Sequence, residues 1–277
     1  MLDVRDTPVS QTDPKVLADY EAALLSFQIF VGDPVTQLNK ILQAAPDFVL
    51  AHLFRALVFY LSSERRYLTP AQASVTSAQA LLGHANEREQ LLFDAVQKLV
   101  AGRWQDASQA FDRVLQDYPR DILALQAGHL LDFFRGDAIN LRNRPGRVLP
   151  EWRPDLPGYS YVLGMYAFGL EECNQYQMAE EYGRQALSIN AVDAWSVHAV
   201  THVMEMQGRT REGITFLRER ETDWAGDNGF AYHNWWHLAL LHLEHYEDEQ
   251  VLQIYDAHIR NDGDITLSLL DATALLW

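Results

Sequence analysis

Apolar residues recur at helical spacing almost from one end of the chain to the other, and no stretch alternates apolar and polar residues as a half-buried strand would. The pattern predicts helices near 17–31, 35–45, 49–63, 72–82, 88–101, 104–116, 121–134, 160–173, 176–188, 192–207, 210–220, 229–245, 248–258 and 264–277. Asp33-Pro34, Pro46, Pro70, Pro119, Gly208 and the stretch from Asp227 to Phe230 punctuate them, because proline and glycine stop or turn a helix.

Within that pattern lies a repeat. In GRWQDASQAFDRVLQDYP the residues Gly102, Trp104, Ala107, Phe111, Val114, Leu115 and Pro119 occupy the small, aromatic, apolar and terminal positions of a tetratricopeptide second helix, and Gly136 follows Gly102 by 34 residues. YQMAEEYGRQALSIN matches less well through Tyr176, Ala179, Ala186 and Leu187, since Gly183 stands where a large apolar residue is usual. Small-then-large order and short turns predict an all-α, tetratricopeptide-like, right-handed solenoid of antiparallel helix pairs, spanning 1–277 as a single domain. Residues 142–158, RNRPGRVLPEWRPDLPG, carry four prolines and are expected to form an irregular segment across the repeats. The closing ITLSLLDATALLW is strongly apolar and lacks a polar cap, so a partner or a following segment missing from this chain is expected to cover it.

Composition narrows the classes of function. With 38 acidic against 22 basic residues the net charge is −16, which argues against nucleic acid and anionic membrane as partners. No segment approaches the ~20 apolar residues of a membrane span, and the N-terminus lacks a basic stretch leading into an apolar run. Cys173 is the single cysteine, which excludes an intrachain disulfide and a CxxC metal site and fits a cytoplasmic location. Against the acidic background, Arg135, Arg142, Arg144, Arg147 and Arg153 form a local basic run, and Arg142 and Arg147 are candidate binders of a carboxylate or phosphate.

The candidate chemistry lies in two HxxxH pairs, His198 with His202 and His233 with His237. Each pair puts two imidazoles on one helix face. The 35-residue step between the pairs is close to one repeat, so neighbouring helices can bring all four rings together. Glu205 extends the first face, Glu244 the second, and a step of 34 back from Glu205 reaches Glu171 as a third wall. Neither pair has the intervening glutamate of HExxH, so the motif does not by itself assign a metal; zinc is the first choice if one is present, given imidazole and carboxylate ligands. Trp195, Trp235 and Trp236 read as packing aromatics.

The segments RVLPEW, GMYAFGLEE, DAWSVHAVTHVMEMQGR, HNWWHLALLHLE and DITLSLLDATALLW resemble the tetratricopeptide repeat protein 38 family along the whole chain. That resemblance implies a helical-repeat fold and members that continue past the position of Trp277; it implies no particular reaction. Two functions follow as expectations. The first is a binding module taking a peptide or a small polar, acidic ligand in a concave groove lined by the histidines, Glu171, Glu244, Arg142 and Arg147. The alternative is a hydrolase of a small polar substrate using His198, His202, His233, His237 and Glu205 for acid–base chemistry, with or without a metal.

Overall fold

The computed structural model describes residues 1–260 and 265–277. Among them every regular element is a helix, and the only β pairing is an isolated bridge between Leu2 and Pro8. The chain divides into two compact units: Met1–Gln28 with Gly32–Tyr159, and Ile29–Val31 with Ser160–Trp277.

The first unit holds α1 (Pro14–Ile29, its last residue excepted), α2 (Pro34–Ala44), α3 (Val49–Leu61), α4 (Leu68–Ala80), α5 (Glu87–Val100), α6 (Trp104–Asp117), α7 (Ile122–Phe134) and α8 (Ala138–Val148). Helices pack on their neighbours in sequence and on the next but one, as α3 does on α5. In α6 the motif read from sequence explains the contact with α5. Ala107 and Phe111 are fully buried, the small residue letting the backbones approach while the ring fills the space beyond. Asp121 caps α7 by accepting from the Ala124 amide at 2.9 Å, and its second oxygen takes the Arg88 Nε hydrogen at 2.7 Å.

The 142–158 stretch is not irregular throughout. Helix α8 continues to Val148, and a 3₁₀ turn follows at Leu149–Glu151. Two local devices explain why prolines failed to stop it. Pro145 has no amide hydrogen to give the Leu141 carbonyl four residues earlier. The ring of His129, buried on α7, lies against that carbonyl instead. The second device is Arg144, which is wholly buried; its Nε donates to Asp132 at 2.8 Å and its amino groups to Asp112 at 2.7 Å and Ser108 Oγ at 2.9 Å. Gly128 makes the room: a Cβ there would stand 2.9 Å from the guanidinium carbon. Arg144 is therefore a core residue of this unit.

The second unit holds α9 (Tyr159–Glu172, its first residue excepted), α10 (Tyr176–Ile189), α11 (Ala194–Met206), α12 (Thr210–Glu219), α13 (Glu221–Trp224), α14 (Ala231–Leu243), α15 (Asp248–Ile254) and α16 (Thr266–Leu276). The helix expected over 264–277 thus begins at Thr266; Asp264 lies outside the described residues. Gly183, the weak point of the second repeat match, has a packing reason. A Cβ there would stand 2.6 Å from the Val200 side chain, so glycine lets α10 lie close against α11. Trp224, Trp235, Leu238 and Leu241 centre the core of this unit, and Trp224 meets Trp235 edge-on with centroids 4.8 Å apart. No described helix is long and apolar enough to cross a membrane.

Candidate metal centre

Asp193 starts the helix that carries the first histidine pair. Its Oδ1 accepts the amides of Trp195 at 3.1 Å and Ser196 at 3.2 Å, and its Oδ2 accepts the Ser196 hydroxyl at 2.5 Å. Burial pushes this carboxyl up to about 6 even though those three bonds favour its charge. From that fixed start, His198 and His202 fall one turn apart on α11, and His233 and His237 one turn apart on α14, the helix packed against it.

All four rings meet. Centroids lie 4.3 Å apart for His198 and His202, 4.8 Å for His233 and His237, and 4.5–5.0 Å for three pairs across the two helices. The Nε2 atoms converge in an open chain: His198 to His233 at 3.0 Å, His233 to His237 at 3.2 Å, His237 to His202 at 3.0 Å. Their ligating atoms are all within 4.8 Å of one another.

The outward Nδ1 atoms face carboxylates. His237 Nδ1 lies 2.9 Å from Glu205, and His233 Nδ1 lies 2.7 Å from Asp271. His202 Nδ1 lies 3.3 Å from Glu171, a close approach without hydrogen-bond geometry. The Nδ1 of His198 is buried and has no partner; Phe168, Trp195 and Phe230 surround that ring with centroids at 5.1–5.2 Å. Trp236 stacks on His233 at 5.4 Å. Trp195 and Trp236, read from sequence as packing aromatics, wall the cluster, whereas Trp235 belongs to the core. His198 and His237 are buried, while the side chains of His202 and His233 are 23% and 20% exposed, so one side of the cluster reaches solvent.

Proton counting decides what this arrangement can hold. A neutral ring carries one N–H, and where Nδ1–H is donated to a carboxylate, Nε2 presents a lone pair. With His233 and His237 both donating from Nδ1 to ionised carboxylates, their Nε2 atoms would face each other lone pair to lone pair at 3.2 Å. His198 and His202 can each supply a proton to one neighbour, which satisfies two of the three contacts and leaves the central one repulsive. Burial first, then the charges of the neighbouring imidazoles, holds His198 and His237 well below the ordinary histidine value, so a proton charge is disfavoured on those two rings. One divalent ion at the centre would be met by a lone pair from each of His198, His202, His233 and His237. Tetrahedral zinc at its usual distance from nitrogen spaces its ligands by about 3.3 Å, close to the observed edges.

Charge around the cluster favours a cation as well. Glu171, Glu172, Glu205, Glu244 and Asp271 gather here, and among the described residues no ion pair joins any of them to Lys or Arg. Glu205 is raised by burial and by the charges of Glu171 and Glu244, against the pull of His202. Glu244 is exposed beyond the C-terminus of α14 and makes no bond to a histidine. Arg142 and Arg147 belong to the first unit, on α8, where Arg142 donates to Asn143 at 3.0 Å and Arg147 pairs with Asp112. Sequence reading missed Asp271 and Glu172. Asp271 stands 38 residues from His233, off the repeat step that leads from Glu205 to Glu171.

No family model matches the chain. A solved tetratricopeptide repeat protein from Parabacteroides merdae is similar in structure, with 13% identity and a TM-score of 0.58 over 95% of this chain and 98% of that one. That likeness gives the fold class: all-α and tetratricopeptide-like. YrrB, described as a TPR protein with an unusual peptide-binding site, aligns at 13% identity over 67% of this chain and 89% of its own, with a TM-score of 0.42.

Proposed function

We propose that this chain is a metalloprotein of the helical-repeat class, in which a divalent first-row ion, zinc first, is held by the Nε2 atoms of His198, His202, His233 and His237. The observation that carries the reading is the convergence of the four rings, whose ligating nitrogens lie within 4.8 Å of one another with Nε2 contacts of 3.0–3.2 Å, and with carboxylates behind the Nδ1 atoms of His233 and His237. Glu205 and Asp271 hold the Nδ1 protons of their rings, which fixes the ring planes and makes Nε2 a better donor. Phe168, Trp195, Phe230 and Trp236 exclude water from the buried side. Protein purified without an affinity tag is expected to contain one equivalent of metal by elemental analysis, with an anomalous peak between α11 and α14. Metal-free protein after purification and after zinc addition overturns the reading.

Metal-assisted hydrolysis is the second reading, favoured by the exposed sides of His202 and His233. Zinc would supply a Lewis acid if one of the exposed rings, His202 or His233, left it a position open, and the chain's part is to orient the remaining rings and to let a small polar substrate approach from the open side. Turnover that disappears on chelation and returns with zinc supports it; turnover unchanged in a His202→Ala, His237→Ala double variant rejects it. Repeat surfaces also suit peptides, and a peptide-type partner in a cytoplasmic setting stays part of the reading. An acidic ligand fits less well than the sequence suggested, because the five carboxylates around the cluster would repel it. Membership of the tetratricopeptide repeat protein 38 family is the family reading that goes with this proposal.

A further inference from the structure

The three carboxylate–imidazole pairs around the cluster are not alike. Glu205 and Asp271 are hydrogen-bonded to their rings, each a single carboxylate on a single Nδ1. Glu171 is the exception. It is only 4% exposed, its Oε2 has no hydrogen-bond partner, and it stands 3.3 Å from His202 Nδ1 outside hydrogen-bond geometry. A second carboxylate, Glu172, is close enough that one oxygen from each glutamate and one ring nitrogen of His202 fit within 4.8 Å of one another. An orphaned buried carboxylate oxygen costs free energy unless something cationic meets it. Neither Lys nor Arg forms an ion pair with either glutamate among the described residues.

From this asymmetry, and resting on the four-histidine reading above, we infer that Glu171, Glu172 and His202 Nδ1 form a second divalent-cation site, with the His202 ring bridging the two ions as an imidazolate. Oxygen-rich ligation with one imidazole suits zinc, manganese or iron in the divalent state. His202 is the shared element: its Nε2 points to the four-histidine centre and its Nδ1 to the two glutamates. Filling both sites releases the remaining ring proton to solvent. It also explains why Glu171 approaches Nδ1 without taking a hydrogen bond from it, since both atoms then donate lone pairs to the same ion. Glu205 and Asp271 cannot play this part, because each already accepts the proton of its ring.

The test uses the full chain, stripped by chelator and reloaded with Co²⁺. Wild type is expected to retain two ions, Glu172→Gln one and Glu171→Gln one, by elemental analysis after desalting. Loading with Cu²⁺ adds a readout of the bridge: two ions on one imidazolate couple antiferromagnetically, so wild type loses most of its paramagnetic resonance intensity and E172Q recovers one full signal. A single ion in wild type overturns the second site while leaving the four-histidine centre standing. Two uncoupled ions, or two ions in the Glu171→Gln, Glu172→Gln double variant, also overturn it. No bound ion in wild type removes both proposals.

Discussion

Two buried polar clusters, one around Arg144 in the first unit and one around the four histidines in the second, meet their charges in opposite ways. Around Arg144 the cation and its acceptors arrive together: Asp132, Asp112 and Ser108 take the guanidinium hydrogens, and Asn140 donates to Asp132 at 3.0 Å. Every charge there is met by the chain itself. Around His198, His202, His233 and His237 the acceptors arrive without their cation, because four nitrogens converge and three carboxylates stand behind them. A closed network specifies packing, while an open one of this kind is what the proposed metal would complete. The contrast also separates residues that look equivalent in sequence, since Arg144 and His237 are both buried polar groups on helices.

The largest effect that would test the contrast belongs to the closed network. Arg144→Ala leaves Asp132 buried and unpaired, and chemical denaturation is expected to show a loss of about 3–5 kcal/mol. A loss below ~1 kcal/mol would mean that water reaches Asp132 and the network is not closed. Next comes the open cluster: removing metal from the loaded protein should lower stability by about 3–4 kcal/mol when free metal had stood at 100–1,000 times its dissociation constant. Equal melting temperatures with and without chelator would remove the distinction between the two clusters. Third, Asp271→Asn and Glu205→Gln are expected to weaken metal binding about 10–100-fold each in competition with a chromophoric chelator, without changing the stoichiometry at the four-histidine centre. Unchanged affinity would show that the carboxylates do not orient the rings.

A separate expected effect is a slope with pH. Asp193 has a folded-state value pushed up to about 6, above the ordinary 3.8, so its contribution is present in full below pH ~4 and is lost as pH rises through about 6. Ser196 and the amides of Trp195 and Ser196 face it, with Tyr161 near enough to feel its charge. In Asp193→Asn this part of the slope between pH 4 and 7 should vanish in denaturant titrations of stripped protein. A slope identical to wild type would assign it to other groups.

Much of this was legible in the sequence, for reasons particular residues make plain. HxxxH fixes a face because residues four apart on a helix are neighbours, and a step of 35 carries that face to an equivalent helix. The same logic reached Glu205 and Glu171. It could not reach Asp271, which lies on α16 at an offset of 38 from its histidine, where no repeat step applies. Helix α8 escaped because prolines and a glycine outweigh periodicity in any local reading, and the group that meets the idle Leu141 carbonyl is a histidine on another helix. Whether Arg144 faces water or the core was equally invisible, since nothing nearby in the sequence announces Asp132 or the missing side chain at Gly128.

Pro145 and His129 form a pair. Replacing the proline with alanine restores an amide hydrogen that competes for the Leu141 carbonyl and leaves the imidazole, held neutral near a value of about 3 by burial and by Arg144, with nothing to do. Replacing the histidine with leucine leaves the carbonyl idle beneath a proline that cannot serve it. Either change alone is a step downhill, whereas the two together return an ordinary helix against an apolar neighbour. The two positions are therefore coupled through the Leu141 carbonyl, and the double variant Pro145→Ala, His129→Leu is expected to cost less stability than the two single changes added together.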